Sequence, residues 1–244
     1  MTLPESPVLF SMVNQTALIT LNRPERRNAI NQALLTNLYD AIEKAGADKG
    51  VRAIVITGNG KSFCSGIDLS VILTENLFDP RGDGSDLPDL FSACEKPIIG
   101  AINGHAITGG FEIALNCDFL IASENASFTD THAKVGIHPG WGMTQLLQQA
   151  IGKRRARQLS FTCRPIDAHT AYEWGLVNEV TTPDQLLPRT LEIADQIAAV
   201  NAGLLPVIQK LINHRDTVCH QAAFAHERAE FRKFVGEHLN PPSV

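Results

Sequence analysis

One stretch of the chain combines residue types that can bind and polarise a ligand, and it runs from Lys96 to Asp118. An apolar segment, Pro97 to Ile102, predicts a buried strand, and Asn103-Gly104 ends it. After Gly109-Gly110 the residues favour a helix with Glu112 in its first turn. A helix that begins beside glycines presents free N–H groups at its positive end, where a carbonyl or phosphate can approach closely. The pattern predicts a site for a polar group with a carboxylate beside it.

The elements that must position this stretch alternate between strands and helices in the first part of the chain and are helical in the last part. The predicted strands span 8–13, 16–22, 52–57, 97–102, 119–122 and 177–180. The predicted helices span 31–43, 111–115, 143–150, 153–160, 167–174, 186–200, 204–214 and 217–235. Asn31 and Asp167 are predicted helix caps. Residues 61–69 predict a turn entering another helix. The polar segment 74–90 predicts either a mobile loop near the site or a plain surface insertion.

Composition and motif spacing exclude several classes of protein. A net charge of −5 argues against a nucleic-acid partner and gives no signal for a membrane surface. Five cysteines without paired spacing indicate reduced thiols rather than disulfides or a metal site. The N-terminus carries no secretion signal and no segment reaches membrane-spanning length, so we expect a cytoplasmic protein.

Two fragments of nucleotide-binding motifs are incomplete. Gly60-Lys61-Ser62 ends like a phosphate-binding loop, but Val55 stands where that motif needs its first glycine. Gly58-Asn59-Gly60 begins a dinucleotide fingerprint, but the third glycine is replaced by Phe63. The glycines in both motifs are required for steric reasons, so we exclude nucleoside triphosphates and NAD as ligands.

Four ordered blocks together carry a resemblance to a known family. They are LNRPERRNAI at 21–30, VITGNGKSFCSGIDL at 55–69, AINGHAITGGFEIALNCD at 101–118 and GIHPGWGMTQLL at 136–147. The combination resembles the crotonase, or enoyl-CoA hydratase, superfamily over most of residues 8–200. The resemblance implies an α/β fold: a spiral of ββα units over residues 1–190 that carries the acyl-CoA site, then a C-terminal helical trimerisation region over 191–244. It further implies a homotrimer or homohexamer and an acyl-CoA substrate, with coenzyme A as part of the substrate and no separate cofactor.

The resemblance also assigns roles to individual residues. The backbone N–H groups of Ser65 and Gly109 are expected to form an oxyanion hole for the thioester carbonyl, because two preorganised donors stabilise an enolate-like oxygen. The substrate-binding residues expected for the CoA ester are Ser65, Gly66, Ile67, Asp68 and Gly109. Glu112 matches the first acid–base glutamate of the family hydratases. The second glutamate position falls on His132, which can act as an acid or base near neutral pH. Asp130 is a nearby substitute carboxylate, but it is offset from that position by two residues.

This departure from the family pattern leaves three functions open. The first is an enoyl-CoA hydratase that uses Glu112 with His132 as a partner. The second is another crotonase reaction, such as double-bond isomerisation, thioester hydrolysis or carbon–carbon cleavage. The third is an acyl-CoA-binding protein with little catalysis. Structural alternatives also stand: Gly109 as a turn that needs an unusual φ, Trp141 as core packing, and Cys64 as packing rather than a nucleophile.

Overall fold

The computed structural model describes residues 6–238, which divide into two compact units after Val200. The strands are β1 (Val8–Val13), β2 (Thr16–Leu21), β3 (Ala53–Gly58), β4 (Ser62–Cys64), β5 (Ile98–Ile102), β6 (His105–Ile107), β7 (Phe119–Ser123), β8 (Ser127–Thr129), β9 (Ile166–Asp167) and β10 (Glu179–Thr181). The helices are α1 (Gln32–Ala47), α2 (Leu87–Ala93), α3 (Gly109–Leu115), α4 (His132–Val135), α5 (Met143–Ile151), α6 (Lys153–Thr162), α7 (Ala168–Trp174), α8 (Pro183–Ala198), α9 (Leu205–Thr217) and α10 (His220–His238).

The first unit is built on two sheets that the chain supplies in turn. The larger has six strands in the order β1-β2-β3-β5-β7-β10, and all its pairs are parallel except β1 with β2. The smaller has four strands in the order β4-β6-β8-β9. From β3 to β8, each successive pair of strands adds one strand to each sheet, and a helix follows each pair. The chain therefore advances by one position per ββα unit, which is the predicted spiral.

Both faces of the larger sheet are buried, and this explains the unbroken apolar sequence of its strands. On β3, Ile54 and Ile56 point into the main core, while Ala53 and Val55 point to the opposite face. That opposite face is covered by helix α8. The predicted domain boundary at residue 190 lies inside α8.

Helix α1 forms where its cap and its apolar stripe were predicted. The Asn31 side chain accepts a hydrogen bond from the Leu34 amide at 3.0 Å and satisfies a free donor of the first turn. Leu34, Leu35, Leu38 and Ile42 are buried against the main core. Each such side chain contributes about 2 kcal/mol when it is removed from water. Asp167 caps α7 in the same way, through the Thr170 amide at 2.8 Å.

The prediction of a helix entered from residues 61–69 is wrong. Ser62–Cys64 forms strand β4, and the next helix in the chain is α2 at Leu87. The three-residue strands β4, β6 and β8 were also missed, because a strand this short has no periodicity to read.

The second unit contains α9 and α10. Apolar side chains on both helices are exposed, among them Ile208, Ile212, Phe224 and Phe231. Within residues 6–238, no helix is long and apolar enough to cross a membrane.

Candidate active site

Three segments of the first unit meet at one edge of the smaller sheet. Strands β4, β6 and β8 are parallel neighbours. They are followed directly by residues 65–68, 108–112 and 130–132. The carboxyl ends of parallel neighbours lie at the same edge of the sheet. In sheets of this kind, ligands bind at that edge. The sheet therefore places the two predicted oxyanion segments and both predicted acid–base residues at one edge.

Glu112 lies in the first turn of α3 and is buried, with 2% of its surface exposed. Its Oε1 atom accepts hydrogen bonds from the backbone amides of Trp141 (2.9 Å) and Met143 (3.1 Å). These amides belong to the loop before α5 and the start of that helix, so the carboxylate does more than complement the dipole of its own helix. Two amides partly replace the water that burial removes. They also fix the direction of the second oxygen, Oε2.

Glu112 Oε2 faces the imidazole of His132, which is also buried. The distance from Oε2 to His132 Nε2 is 3.6 Å, which is an ion-pair contact and too long for a hydrogen bond. On the other side of the ring, Nδ1 lies 2.8 Å from Asp130 Oδ1. The same Asp130 oxygen accepts the backbone N–H of His132 at 3.0 Å. The structure thus brings together Glu112 and His132 as predicted, and adds Asp130.

The two carboxylates change the acidity of the imidazole. Burial by itself lowers the pKa of His132, but the interactions with Asp130 and Glu112 outweigh it and raise that pKa to about 9. Burial likewise raises the pKa of Asp130, but hydrogen bonds from His132 and Ser160 outweigh it and hold that pKa below its ordinary value. His132 therefore carries a proton at neutral pH and presents it at Nε2.

The turn before α3 is held in an unusual backbone conformation. Thr108, not Gly109, has the positive φ, at 51°, which is strained for a β-branched residue. Gly109 itself has no positive φ, so its backbone conformation does not require a glycine at this position. The Thr108 hydroxyl is hydrogen-bonded to that of Thr131 and accepts the Thr131 amide. These bonds join the start of α3 to the segment that carries His132.

The structure corrects the prediction that the Ser65 amide is an oxyanion donor. The Ser65 backbone N–H donates to the Arg27 carbonyl at 3.1 Å and is not free for a ligand. Within the described residues, Ile67 is the one position from 65 to 68 whose amide has no acceptor, and the amide of Gly109 has none either. A Cβ added to Gly66 would lie 3.5 Å from Gly109 N, and one added to Gly109 would lie 3.7 Å from Ile67 Cγ1. The two unpaired amides therefore belong to adjoining segments.

The other predicted binding residues occupy the same turn. Gly66 has a φ of +87°, and a Cβ there would lie only 2.8 Å from the Ile107 carbonyl oxygen. The Asp68 carboxylate pairs with Arg23 at 3.4 Å and accepts the Ser70 hydroxyl at 2.6 Å. The turn is thus packed against the end of β6 and tied by charge to the loop after β2.

Two side chains near the site have clear surroundings. Trp141 is buried, and its Cζ3 atom would lie 3.4 Å from a Cβ on Gly109, so the indole borders the position of the free amide. Burial raises the pKa of the Cys64 thiol to about 12, and the thiol donates to the Asn28 carbonyl at 3.0 Å. Cys64 is therefore a packing residue rather than a nucleophile, as predicted.

Comparison with known proteins identifies the family of this chain. The sequence profile of the enoyl-CoA hydratase/isomerase family matches residues 12–239. The chain belongs to that family. It is 42% identical over 199 residues to a probable peroxisomal enoyl-CoA hydratase 1 of Arabidopsis thaliana, covering 81% of this chain and 74% of the relative. It is 38% identical over 194 residues to the crotonyl-CoA hydratase of Syntrophomonas wolfei, covering 78% and 75%.

A solved structure gives the same result for the fold. The enoyl-CoA hydratase subunit I of Geobacillus kaustophilus superposes with a TM-score of 0.86 at 28% identity, covering 94% of this chain and 90% of the other. The predicted membership of the enoyl-CoA hydratase/isomerase family and the predicted α/β crotonase fold are both confirmed.

Sequence reasoning missed three backbone amides of this enoyl-CoA hydratase/isomerase site, those of Trp141, Met143 and Ile67. The amides of Trp141 and Met143 give no sequence signal, because any residue has a backbone N–H. The Ile67 amide was missed because the resemblance was carried onto Ser65, two residues too early. Asp130 was already a candidate as a nearby carboxylate, and its spacing fits, because an aspartate commonly bonds the amide two residues later, here that of His132.

Proposed function

We propose that this chain adds water across the double bond of a 2-enoyl-CoA thioester, with Glu112 and His132 as the acid–base pair. The observation that carries the proposal is a buried carboxylate and a buried imidazole 3.6 Å apart, next to two unpaired amides. Hydration needs a proton removed from water at Cβ and a proton delivered at Cα. A Glu–His pair supplies both operations. The hydratase names of the relatives support the same reaction.

In this proposal, the backbone amides of Ile67 and Gly109 bind the thioester oxygen. Negative charge develops on that oxygen as water adds to Cβ, and two preorganised N–H groups stabilise it. Gly109 is the first residue of α3, so its N–H also lies at the positive end of the helix dipole. The lack of another acceptor for either amide supports this assignment.

The remaining predicted residues serve substrate binding in the same proposal. Gly66, Ile67 and Asp68 line the CoA side of the thioester, and the Ser65 side chain belongs to this turn even though its amide is bonded elsewhere. Coenzyme A arrives as part of the substrate, and the reaction as written uses no further cofactor. The pairing of Asp68 with Arg23 supports a preformed turn for this role.

The test is incubation of the purified protein with crotonyl-CoA, followed by ultraviolet absorbance of the conjugated thioester and by product mass. Hydration removes the absorbance and adds the mass of one water. An unchanged mass with a changed absorbance indicates isomerisation, and free CoA indicates thioester hydrolysis. Tight binding of CoA esters in calorimetry without turnover on a panel of acyl-CoAs would leave an acyl-CoA-binding protein instead.

The assembly and location of the chain also belong to this proposal. A homotrimer, or a homohexamer formed from two trimers, covers apolar side chains of the C-terminal helices such as Ile208 and Ile212, which are exposed in the single chain. Light scattering of the purified protein tests this, and a stable monomer in dilute solution contradicts it. A cytoplasmic location stays a prediction, as does residue 191 as the start of the oligomerising region.

A further inference from the structure

We propose that Asp130 is a positioning residue for the hydration reaction, holding His132 as a protonated acid whose Nε2–H faces Glu112. The proposal rests on the proposed function for its catalytic meaning. Asp130 itself does not contact the substrate in this scheme. It acts through the imidazole, and its place in the chain differs from both acid–base positions of the family pattern.

The geometry of Asp130 fixes both the ring and its proton. One oxygen, Oδ1, accepts two hydrogen bonds from His132: the backbone N–H at 3.0 Å and ring Nδ1 at 2.8 Å. The ring therefore has one orientation relative to its own backbone. Since Nδ1–H is donated to Asp130, the nitrogen that exchanges protons is Nε2, on the side of Glu112.

The charged groups around His132 leave Asp130 as its closest electrostatic partner. Glu112 faces the ring from α3, with Oε2 3.6 Å away. Asp130 faces it from the end of β8, at 2.8 Å. Helix α6 contributes Ser160, which is hydrogen-bonded to Asp130 and carries no charge. Apart from burial, the main contributions to the pKa of this imidazole come from Asp130 and Glu112. Two carboxylates on opposite sides of one buried imidazole favour its charged form.

This arrangement closes the proton balance of hydration without another acid or base. Glu112 Oε2 takes a proton from water while the water oxygen bonds to Cβ and the π electrons of the double bond move toward the thioester oxygen. As the enolate collapses, Cα takes the Nε2 proton of His132. After the product leaves, a water molecule that enters between the two groups relays the proton from Glu112 Oε2 to His132 Nε2, because 3.6 Å is too long for direct transfer. This restores the carboxylate and the imidazolium. Asp130 keeps its hydrogen bond to Nδ1 throughout.

The variant that tests the role is Asp130→Asn, which keeps an oxygen for the His132 amide and removes the charge. We expect the His132 pKa, followed by NMR of ¹⁵N-histidine-labelled protein, to fall by about 1 to 3 pH units. The high-pH limb of kcat with crotonyl-CoA is expected to move down equally. For a shift of about 2 pH units, kcat at pH 8 falls about tenfold and kcat at pH 6 changes little. A purely structural loss would lower kcat at both pH values.

Two further variants keep the test decisive. Asp130→Ser removes the charge with a smaller side chain, and it replaces Asp130→Asn if the latter does not fold. Ser127→Ala is the matched control, because it removes the hydroxyl that bonds another histidine, His105 Nδ1 at 2.7 Å, on the same sheet. The control should leave the pH profile unchanged. The His132 resonance is assigned by its disappearance in His132→Gln.

The outcomes separate the two proposals. If the wild type hydrates crotonyl-CoA and neither the His132 pKa nor the pH profile moves in the Asp130 variants, the role of Asp130 is overturned and the hydratase function stands. If the wild type hydrates no enoyl-CoA but the NMR pKa moves, the hydratase function is overturned while the hold of Asp130 on the imidazole stands. A shift in both measurements supports both.

Discussion

The two segments that supply the acid–base pair hold their side chains by different means. At the start of α3, the Glu112 carboxylate is fixed by two backbone amides, those of Trp141 and Met143. At the start of α4, the His132 imidazole is fixed by the charged side chain of Asp130. Backbone amides orient the Glu112 carboxylate and carry no titratable proton of their own. A carboxylate partner both orients an imidazole and raises its pKa, so the α4 segment is the one we expect to respond to pH and to single charge changes.

The largest effect is expected on the α3 side of this comparison. Glu112→Gln retains the shape and one acceptor oxygen but removes the base, so kcat for hydration should fall roughly 10²- to 10⁴-fold, with CoA-ester binding nearly unchanged. Steady-state kinetics with crotonyl-CoA and calorimetry with a CoA ester measure the two quantities. A Glu112→Gln enzyme as fast as the wild type would remove Glu112 from the mechanism.

The free amide at Gly109 is the next target. Gly109→Pro removes the N–H and should lower kcat/KM by about 10²- to 10³-fold, because one oxyanion donor is lost. Gly109→Ala is the matched control: it keeps the N–H and adds a Cβ that meets side chains rather than backbone, at 3.2 Å from Ile30 Cδ1, 3.4 Å from Trp141 Cζ3 and 3.7 Å from Ile67 Cγ1. Circular dichroism establishes that both variants fold. Equal losses in the two would indicate packing rather than a lost donor.

The positive charge of His132, at the start of α4, should be detectable in the pH dependence of the unfolding free energy. A His132 pKa raised from 6.5 to about 9 stabilises the folded state by about 3 kcal/mol below pH 6.5, and this contribution is lost as pH rises through 9. The difference in unfolding free energy between wild type and His132→Gln should therefore shrink between pH 6.5 and 9. Urea unfolding across that range measures it. A difference independent of pH would show that the imidazole is not held in its charged form.

The smallest effect concerns the link between the two segments. Thr131→Val removes the hydroxyl that bonds Thr108 while keeping the β-branched shape, and should cost about 1 kcal/mol of unfolding free energy. Since the link aligns the two starting turns, a modest loss of kcat is expected with KM nearly constant. Thr170→Val, on α7, is a comparable change remote from the two segments. A similar loss of kcat there would argue against a specific role for the link.

The large elements and the α3 segment could be predicted because physical constraints restrict which residues they accept. Long apolar strands and the amphipathic stripe of α1 carry periodic patterns, and the Gly109–Glu112 turn carries a motif whose glycines have steric roles. Gly110 illustrates this, because a Cβ there would lie 2.2 Å from the Cys64 carbonyl oxygen. Such positions accept so few residue types that the letters themselves predict the packing.

The remaining features depend on partners that the letters do not specify. The Ser65 amide is bonded and the Ile67 amide is not. The acceptor that makes this difference is the Arg27 carbonyl, and Arg27 lies far from both residues in the chain. The short strands β4, β6 and β8 exist because they pair with one another, not because of their own pattern. The Asp130–His132 contact is local and could be anticipated, whereas its effect on the proton depends on burial and on Glu112 from another unit of the spiral.

The stepwise addition of strands β4, β6 and β8 separates the residues that pair the strands from the residues that carry the chemistry. In the proposed reaction, the turn after β4 holds the CoA ester, the start of α3 supplies the base and one oxyanion donor, and the start of α4 supplies the acid. Neighbouring coils share backbone pairing but not side-chain identity at their ends. The reactive group at the end of one strand can therefore be substituted without changing the residues that pair the strands. The fold and the chemistry of this unit are thus specified by separate sets of residues.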